Sequence, residues 1–540
     1  MHIYKKLLWS GIIAGATLGL YLLLSLHYPL WPSLDNPRAS WASLVQPTGW
    51  NALWHLGVYF SLTLLYIAAL RLPLFSQREN SAPPRIQIVL ILATWLACSV
   101  VLMAAAPAGE SHDIFDYLFR GRMMAEYHAN PLVDTPDEFS ISTPYSRYLA
   151  WRKNVDTYGP VWEASSSAVA ISVRQVAIWL RWWDETSPAC PRSPESCRLL
   201  IVYITGYRLL AVILTGLSGW LIFSIMSHSQ PRLAALALAA WLLCPMTLIA
   251  TALGGHNDSV MLVLVLLCWW LLQRGHPILA MTALILAAHV KLTALIWLPT
   301  CFLWIFWRWG WKSTLKTVLM SAFSGLLLSW LLYAPFGGWQ SLPHMLYERS
   351  LFLANSLWRI LKQLLINQWG WQTERAHQLS VYLPSLLFAA GALLIPLLTF
   401  NIPSKRWRNG FFAPSVEYAK LLRALVAVSM LYILIGSFWF QPWYILWVVA
   451  PAALLPDSLF TRSVLPWLVF GALTSNMAMD FLLNSATKAS PPILNYILAV
   501  VIIWGPALFA TSALVVFRLI KRARPRGTLT ATVRSHSCPP

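Results

Sequence analysis

The stretch from Ile86 to Arg122, IQIVLILATWLACSVVLMAAAPAGESHDIFDYLFRGR, decides the fold. Its first part, 86–106, is an unbroken apolar run long enough to cross about 30 Å of hydrocarbon as a helix. Asp113, Asp116, Arg120 and Arg122 follow directly after it. Ionisable residues beside hydrocarbon are costly, so two carboxylates and two guanidiniums gathered at the end of a span mark a functional site by default.

The rest of the chain repeats the first half of that pattern. Its 540 residues are 58% hydrophobic and 11% charged, with a mean hydropathy of +0.59, a composition far outside that of soluble globular proteins. The formal charge of +19 does not come from one nucleic-acid-binding patch; the basic residues sit in short clusters between apolar runs. The reading is an all-α polytopic membrane protein with about fourteen spans, over 7–26, 51–70, 86–106, 198–226, 231–251, 259–273, 277–290, 292–307, 314–334, 379–400, 420–438, 443–456, 463–482 and 493–518. No repeat is strong enough to argue for inverted halves.

Orientation follows from the basic clusters. Lys5 and Lys6, then Arg71, Arg78 and Arg85, then Lys312 and Lys316, then Lys405, Arg406 and Arg408, and finally Lys521, Arg522, Arg524 and Arg526 all fall on one side in this count. That side is expected to be the cytoplasm, with both termini inside and the first segment a retained anchor. The expected organisation is N-terminal spans over 1–106, an extracytoplasmic loop over 107–197, a bundle over 198–520 and a basic disordered tail over 521–540. Twelve of the twenty acidic residues lie in the 107–197 loop, so the chemistry is expected there. Cys190 and Cys197 share that loop, and an oxidising compartment would permit a disulfide between them.

Four constellations map to this outer side. In the first, a helical repeat puts Asp113, Asp116, Tyr117 and Arg120 on one face, with Arg122 close by. This is either an acid-base face, in which burial raises a carboxylate toward general-base strength, or a surface amphipathic helix with internal ion pairs. The second is Gly254-Gly255-His256-Asn257-Asp258, where Asn257 or Asp258 would cap the next helix or, with His256, meet a substrate. The third is Lys291, an anion contact or a residue snorkelling to headgroups. The fourth joins Tyr158-Gly159-Pro160-Val161-Trp162-Glu163 to Gln441-Pro442-Trp443-Tyr444, whose aromatics suit sugar stacking or an ordinary interfacial belt. A segment near 340–366 with Arg349 and Arg359 reads as an interfacial helix whose cations would hold a lipid phosphate or headgroups.

In order along the chain, Asp113-Ile-Phe-Asp116-Tyr117 with Gly121-Arg122 and Asn130-Pro131-Leu132, then Tyr158-Gly159-Pro160, Gly255-His256-Asn257-Asp258, Lys291 with Leu298-Pro299, and Gln441-Pro442-Trp443-Tyr444 resemble the GT-C superfamily of polytopic glycosyltransferases. Within it the chain is most similar to the polyprenol-phosphate-mannose-dependent alpha-1,6-mannosyltransferases of bacterial envelopes. The resemblance implies a GT-C-type bundle in the plasma membrane with a large first extracytoplasmic catalytic loop carrying interfacial helices. It implies transfer of a hexose, mannose in the nearest family, from a polyprenyl-phosphate carrier to a glycan or glycolipid acceptor, with inversion and without metal or other cofactor.

Asp113 matches the essential aspartate, with Asp116 in support; Arg120 departs from an acidic position in relatives. Tyr117, Arg120, Arg122, Tyr158, His256, Asn257, Asp258, Lys291, Arg349, Arg359, Trp443 and Tyr444 are the expected substrate contacts, Arg349 and Arg359 on charge and sidedness. A transporter or flippase of lipid-linked sugar would carry its ionisable groups at the bilayer midplane, and an envelope polymerase or ligase would use lipid diphosphates; Asp113 directly after a span favours the transferase.

Overall fold

The computed structural model describes residues 2–35, 49–71, 85–139, 148–181, 196–401, 413–486 and 492–523. Cys190 and the basic cluster at 405–408 lie outside them, as do the side chain of Cys197 and the tail from 524; the last helix runs on to Ala523, past the expected start of the tail. Among the described residues the regular structure is helical. In chain order the longer helices are α1 (His2–His27), α2 (Trp50–Arg71), α3 (Arg85–Met103), α4 (Asp113–Tyr127), α5 (Pro160–Trp179), α6 (Ser196–Ser229), α7 (Ala234–Leu242), α8 (Asp258–Gln273), α9 (Pro277–Ala288), α10 (Leu298–Tyr333), α11 (Ser341–Leu351), α12 (Leu357–Asn367), α13 (Thr373–Asn401), α14 (Ala413–Leu431), α15 (Leu446–Ala453), α16 (Leu465–Ala486) and α17 (Pro492–Ala523).

Among the described residues eight helical stretches are long and apolar enough to cross a membrane: Leu7–His27, Trp50–Arg71, Arg85–Met103, Leu199–Ser229, Leu292–Phe336, Thr373–Asn401, Tyr418–Gly436 and Ile493–Arg518. A ninth appears if Pro231–Leu242 and Pro245–Leu253, bent by 52°, count as one span. The expected number was about fourteen. The expected spans at 259–273, 277–290 and 443–456 form the shorter apolar helices Asp258–Gln273, Pro277–Ala288 and Pro442–Ala453. At about 1.5 Å per residue, helices of this length fall short of the hydrocarbon thickness, and hydropathy alone does not separate them from true spans. The expected pair 292–307 and 314–334 is one stretch, broken inside α10 at Gly310, whose φ of 78° and ψ of 176° are not helical.

The bent pair breaks for a chemical reason. Pro245 has no N–H to donate to the helix ending at Leu242, and backbone groups freed at membrane depth must find other partners. Tyr66 of α2 donates its hydroxyl to the Ala240 carbonyl at 2.6 Å, and Thr251 donates to Thr247 O at 2.6 Å. The chain then turns at Gly255, whose φ of +63° belongs to the left-handed region that favours glycine. That turn ends in His256, Asn257 and Asp258 at the start of α8.

α4 is not a surface helix. Every residue from Asp113 to Met123 is buried. Its start is held by Ser111, whose Oγ accepts the Asp113 N–H at 2.8 Å, and Asp113 and Asp116 in the first turn complement the partial positive charge of the helix N-terminus. Phe115 stacks on Tyr148 with ring centroids 4.8 Å apart. Gly121 lets α4 press against α5 and α6, since a Cβ there would collide with the Tyr207 hydroxyl and with Ser166. The surface-helix alternative therefore fails on packing.

Candidate active site

Two segments 130 residues apart make the site by backbone pairing. Gly159 N–H donates to Val290 O and Val161 N–H to His289 O, each at 3.0 Å. A Cβ on Gly159 would meet the His289 carbonyl, so only glycine permits this approach. Pro160 then opens α5 at a position where a missing N–H costs nothing. This docking carries Tyr158 over Lys291, whose Nζ lies 5.1 Å from the Tyr158 ring centroid.

Lys291 does not snorkel to headgroups. It is 7% exposed, and its Nζ donates to Asp258 Oδ2 at 2.9 Å. Tyr444 and Trp447 complete an aromatic box around the ammonium, with centroids at 5.2 and 5.6 Å. Asp258 is fully buried and also accepts the Trp447 indole N–H at 2.6 Å, so it anchors Lys291 while opening α8. Burial pulls the Lys291 pKa down and Asp258 opposes that fall. Arg349 of α11 approaches the same box: its Nη2 donates to the Tyr444 hydroxyl at 2.9 Å and its guanidinium lies 4.4 Å from the Trp439 ring centroid. Its partner is a phenol rather than a carboxylate, which leaves its positive charge uncompensated locally.

Asp113 faces this group. Its Oδ2 lies 3.5 Å from the Tyr117 hydroxyl and 4.0 Å from His256 Nδ1, and its Oδ1 lies 3.9 Å from His112 Nε2. The Tyr117 and Tyr158 hydroxyls are 3.4 Å apart, linking the carboxylate to the aromatic box. Burial raises both phenols, so they remain protonated donors. His256 stacks on Trp443 at 3.9 Å and is wholly buried; burial lowers its pKa, so the ring is neutral. Asn257 does not cap α8, and both of its side-chain polar atoms are buried without a hydrogen-bond partner.

The remaining expected residues lie elsewhere. Asp116 is held by the 151–156 loop: its Oδ1 accepts the Trp151 N–H at 3.1 Å, and burial raises its pKa to about 7, with Arg120 opposing. Arg120 is bound to the same loop, donating to Trp151 O at 3.2 Å and Asn154 O at 2.8 Å and lying 3.5 Å from Asp156. Arg122 is 1% exposed and grips Glu126 one turn on, at 2.6 Å, beside Tyr203. Arg359 pairs with Tyr496 of α17 at 2.8 Å and with Leu353 O at 3.1 Å, away from the box.

Two participants, Glu110 and Trp447, escaped the sequence reading. Glu110 reaches His256, with Oε2 3.4 Å from Nε2, and burial raises its pKa to about 8, with Asp113 adding to the rise. Trp447 contacts both members of the Lys291–Asp258 pair. Glu163, one turn into α5, is buried beside Asp156, and burial followed by that neighbour raises its pKa well above the ordinary range. Glu163 belongs to the Tyr158–Glu163 constellation itself, and Glu126 stands four residues after Arg122, a spacing that signals an ion pair. No local pattern distinguishes Glu110 from any other loop acid. Among the described residues no group of three or more His, Cys, Asp or Glu side chains is placed to hold a metal ion.

The site thus unites Asp113, a neutral His256, the phenols of Tyr117, Tyr158 and Tyr444, the Lys291–Asp258 pair and Arg349 in an aromatic surround, an arrangement suited to moving a proton from a hydroxyl beside an anionic group. No curated protein matches the chain. The family model described as alpha-(1->6)-mannopyranosyltransferase, N-terminal domain, matches residues 9–308, which include α4, the His256 turn and Lys291. The chain belongs to this family of alpha-(1->6)-mannopyranosyltransferases and is a membrane glycosyltransferase.

Proposed function

We propose that the protein transfers mannose from a polyprenyl-phosphate carrier to a hydroxyl of an extracytoplasmic glycan or glycolipid, with inversion and with Asp113 as general base. The observation that carries this reading is the opposition of Asp113 to Lys291 and Arg349 across Tyr117 and Tyr158. An inverting displacement needs a base near the incoming hydroxyl and positive charge near the leaving oxygen. When the anomeric carbon–oxygen bond breaks, the electron pair leaves on the phosphate, whose charge grows from one to two negatives. Arg349, with no carboxylate partner, is the principal contact for that charge. Lys291 is already balanced by Asp258 and serves more as a fixed dipole.

Asp113 is favoured over Asp116 because its carboxylate faces the cationic box, whereas Asp116 is tied to the Trp151 backbone. The distribution of the basic clusters supports an orientation with this end of the bundle outside the cytoplasm, in the plasma membrane, and both termini inside. Arg122 and Arg359, with their own partners, contribute to the frame rather than to the phosphate.

The test is transfer by the purified protein in lipid nanodiscs from radiolabelled mannosyl-phosphoryl-polyprenol to a mannan acceptor, with GDP-mannose in a parallel reaction. The expected result is a new α-1,6 linkage from the lipid donor alone and retention of activity after chelation. Use of GDP-mannose, or loss of activity on chelation with recovery on adding a divalent ion, overturns the corresponding part.

A further inference from the structure

We propose that Glu110 and His256 form a positioning pair for the base: Glu110 donates its carboxylic acid proton to His256 Nε2, fixing the imidazole as the Nδ1–H tautomer that presents a proton to Asp113. The proposal rests on the reading of Asp113 as base and names the groups that orient it. The three side chains lie in line, with Glu110 Oε2 3.4 Å from Nε2 and Asp113 Oδ2 4.0 Å from Nδ1. A histidine's two nitrogens play opposite roles when neutral, so the partner of one fixes what the other offers. Base contacts of this kind are often long without substrate and shorten in the reactive complex.

The ring has little freedom to choose otherwise. It is wholly buried, stacked on Trp443 at 3.9 Å and held edge-on to Tyr117 at 6.4 Å. Gly254 and Gly255 hold its backbone in the turn, where a Cβ on Gly254 would strike the imidazole. The groups that bear on the pair are named from each element around it. Asp113 and His112 come from the start of α4, Lys291 from the turn after α9, and Tyr59 from α2, with His55 against Tyr59 at 4.5 Å. Arg208 of α6 lies beside the Gly255 backbone, its Nη1 donating to Met103 O and Ala105 O. Only Asp113 adds negative charge close to Glu110, which together with burial holds its acid form to about pH 8.

In the transfer step Asp113 accepts the hydroxyl proton as the acceptor oxygen bonds to the anomeric carbon and the phosphate departs with the electron pair. His256 keeps its Nδ1 proton and Glu110 keeps its own. Their role before the step is to hold Asp113 ionised and aimed. If Glu110 loses its proton, the imidazole is drawn to donate from Nε2 instead, and Nδ1 then turns a lone pair toward the base.

The experiment is the pH dependence of mannosyl transfer from the lipid donor for wild type, Glu110→Gln, Glu110→Ala and Asp113→Asn, each checked for folding by gel filtration and melting. Wild-type kcat is expected to fall above about pH 8. Glu110→Gln, whose amide still donates to Nε2 but cannot ionise, is expected to keep most of the neutral activity and lose that alkaline fall. Glu110→Ala is expected to lose roughly tenfold in kcat with donor KM unchanged. An alkaline fall that persists in Glu110→Gln overturns the proposal, as does a folded Glu110→Ala with wild-type kcat. If Glu110→Ala does not fold, the Glu110→Gln profile decides alone. Full turnover by Asp113→Asn defeats the base assignment itself, a result separable from either Glu110 outcome.

Discussion

The start of α4 and its later turns carry the same chemical groups arranged to opposite ends. In the later turns Arg120 and Arg122 meet Asp156 and Glu126 at 3.5 and 2.6 Å, each guanidinium with a carboxylate of its own. At the start of the helix Asp113 has the Tyr117 phenol and the His112 and His256 imidazoles as neighbours, and among the described residues no arginine or lysine lies within ion-pair distance of it. Neutralised charge holds the helix in the bundle. In the proposed function the carboxylate without a cation is the base, and Lys291 and Arg349, beyond Tyr117 and Tyr158, are the charges offered to a phosphate. A count of charges near the membrane therefore locates the helix, while the pairing pattern separates framework from chemistry.

The largest effect expected from this contrast is at Asp113. Asp113→Asn should lower kcat by about 10²- to 10⁴-fold in nanodisc assays, whereas Asp116→Asn should retain a greater share of turnover. The reverse order would place the chemistry on the other carboxylate.

Next is the framework pair. Arg122→Ala leaves Glu126, whose side chain is 11% exposed, without its cation, at a cost of about 3–5 kcal/mol. The variant should melt earlier and yield less folded protein, and Arg122→Leu combined with Glu126→Leu should recover much of the loss. A drop in kcat per folded molecule with unchanged melting would instead bring Arg122 into the chemistry.

Arg349→Ala should weaken transfer by roughly 10- to 100-fold, the range for a charge-assisted hydrogen bond of about 1.5–3 kcal/mol. Arg359→Ala should change transfer less, because its guanidinium is committed to Tyr496 and Leu353. Equal losses in both would dissolve the distinction drawn between them.

The smallest effect is a pH trend. Burial raises Asp116 from 3.8 to about 7, so the folded state binds that proton more tightly than the unfolded chain. The resulting stability is present in full below pH 3.8 and is lost as pH rises through about 7. Melting temperatures of Asp116→Asn should fall less than those of wild type across that window. A parallel fall in both would mean that Asp116 does not titrate there.

Most of the bundle was legible in the sequence because spanning a membrane demands long apolar runs: seven of the eight stretches each overlap one expected span, and Leu292–Phe336 joins two of them. The excess came from segments such as 277–290, which are as apolar as a span and differ only in length and in being packed inside the bundle. Of the expected site residues, Asp113, His256, Asp258, Lys291, Tyr158 and Tyr444 are brought together in space, where polar chemistry and backbone constraints coincide. Arg122 and Arg359 were misplaced because their charge is visible in sequence and their partners are not weighed by it. Glu110 was missed for the same reason in reverse. Its role depends on a histidine 146 residues away, and that distance is closed only by the fold.

The contact of Gly159 with the His289 carbonyl has a consequence for anyone recombining this protein with a relative. The Tyr158–Val161 segment and the turn before Lys291 form one interchangeable cassette, because two backbone hydrogen bonds and the absence of a single Cβ set their register. A chimera that swaps 107–181 without 285–297 must match a foreign backbone at a point with no side chain to adjust. Such hybrids should fail through misalignment of Tyr158 over Lys291, even when every residue of the donor loop is retained.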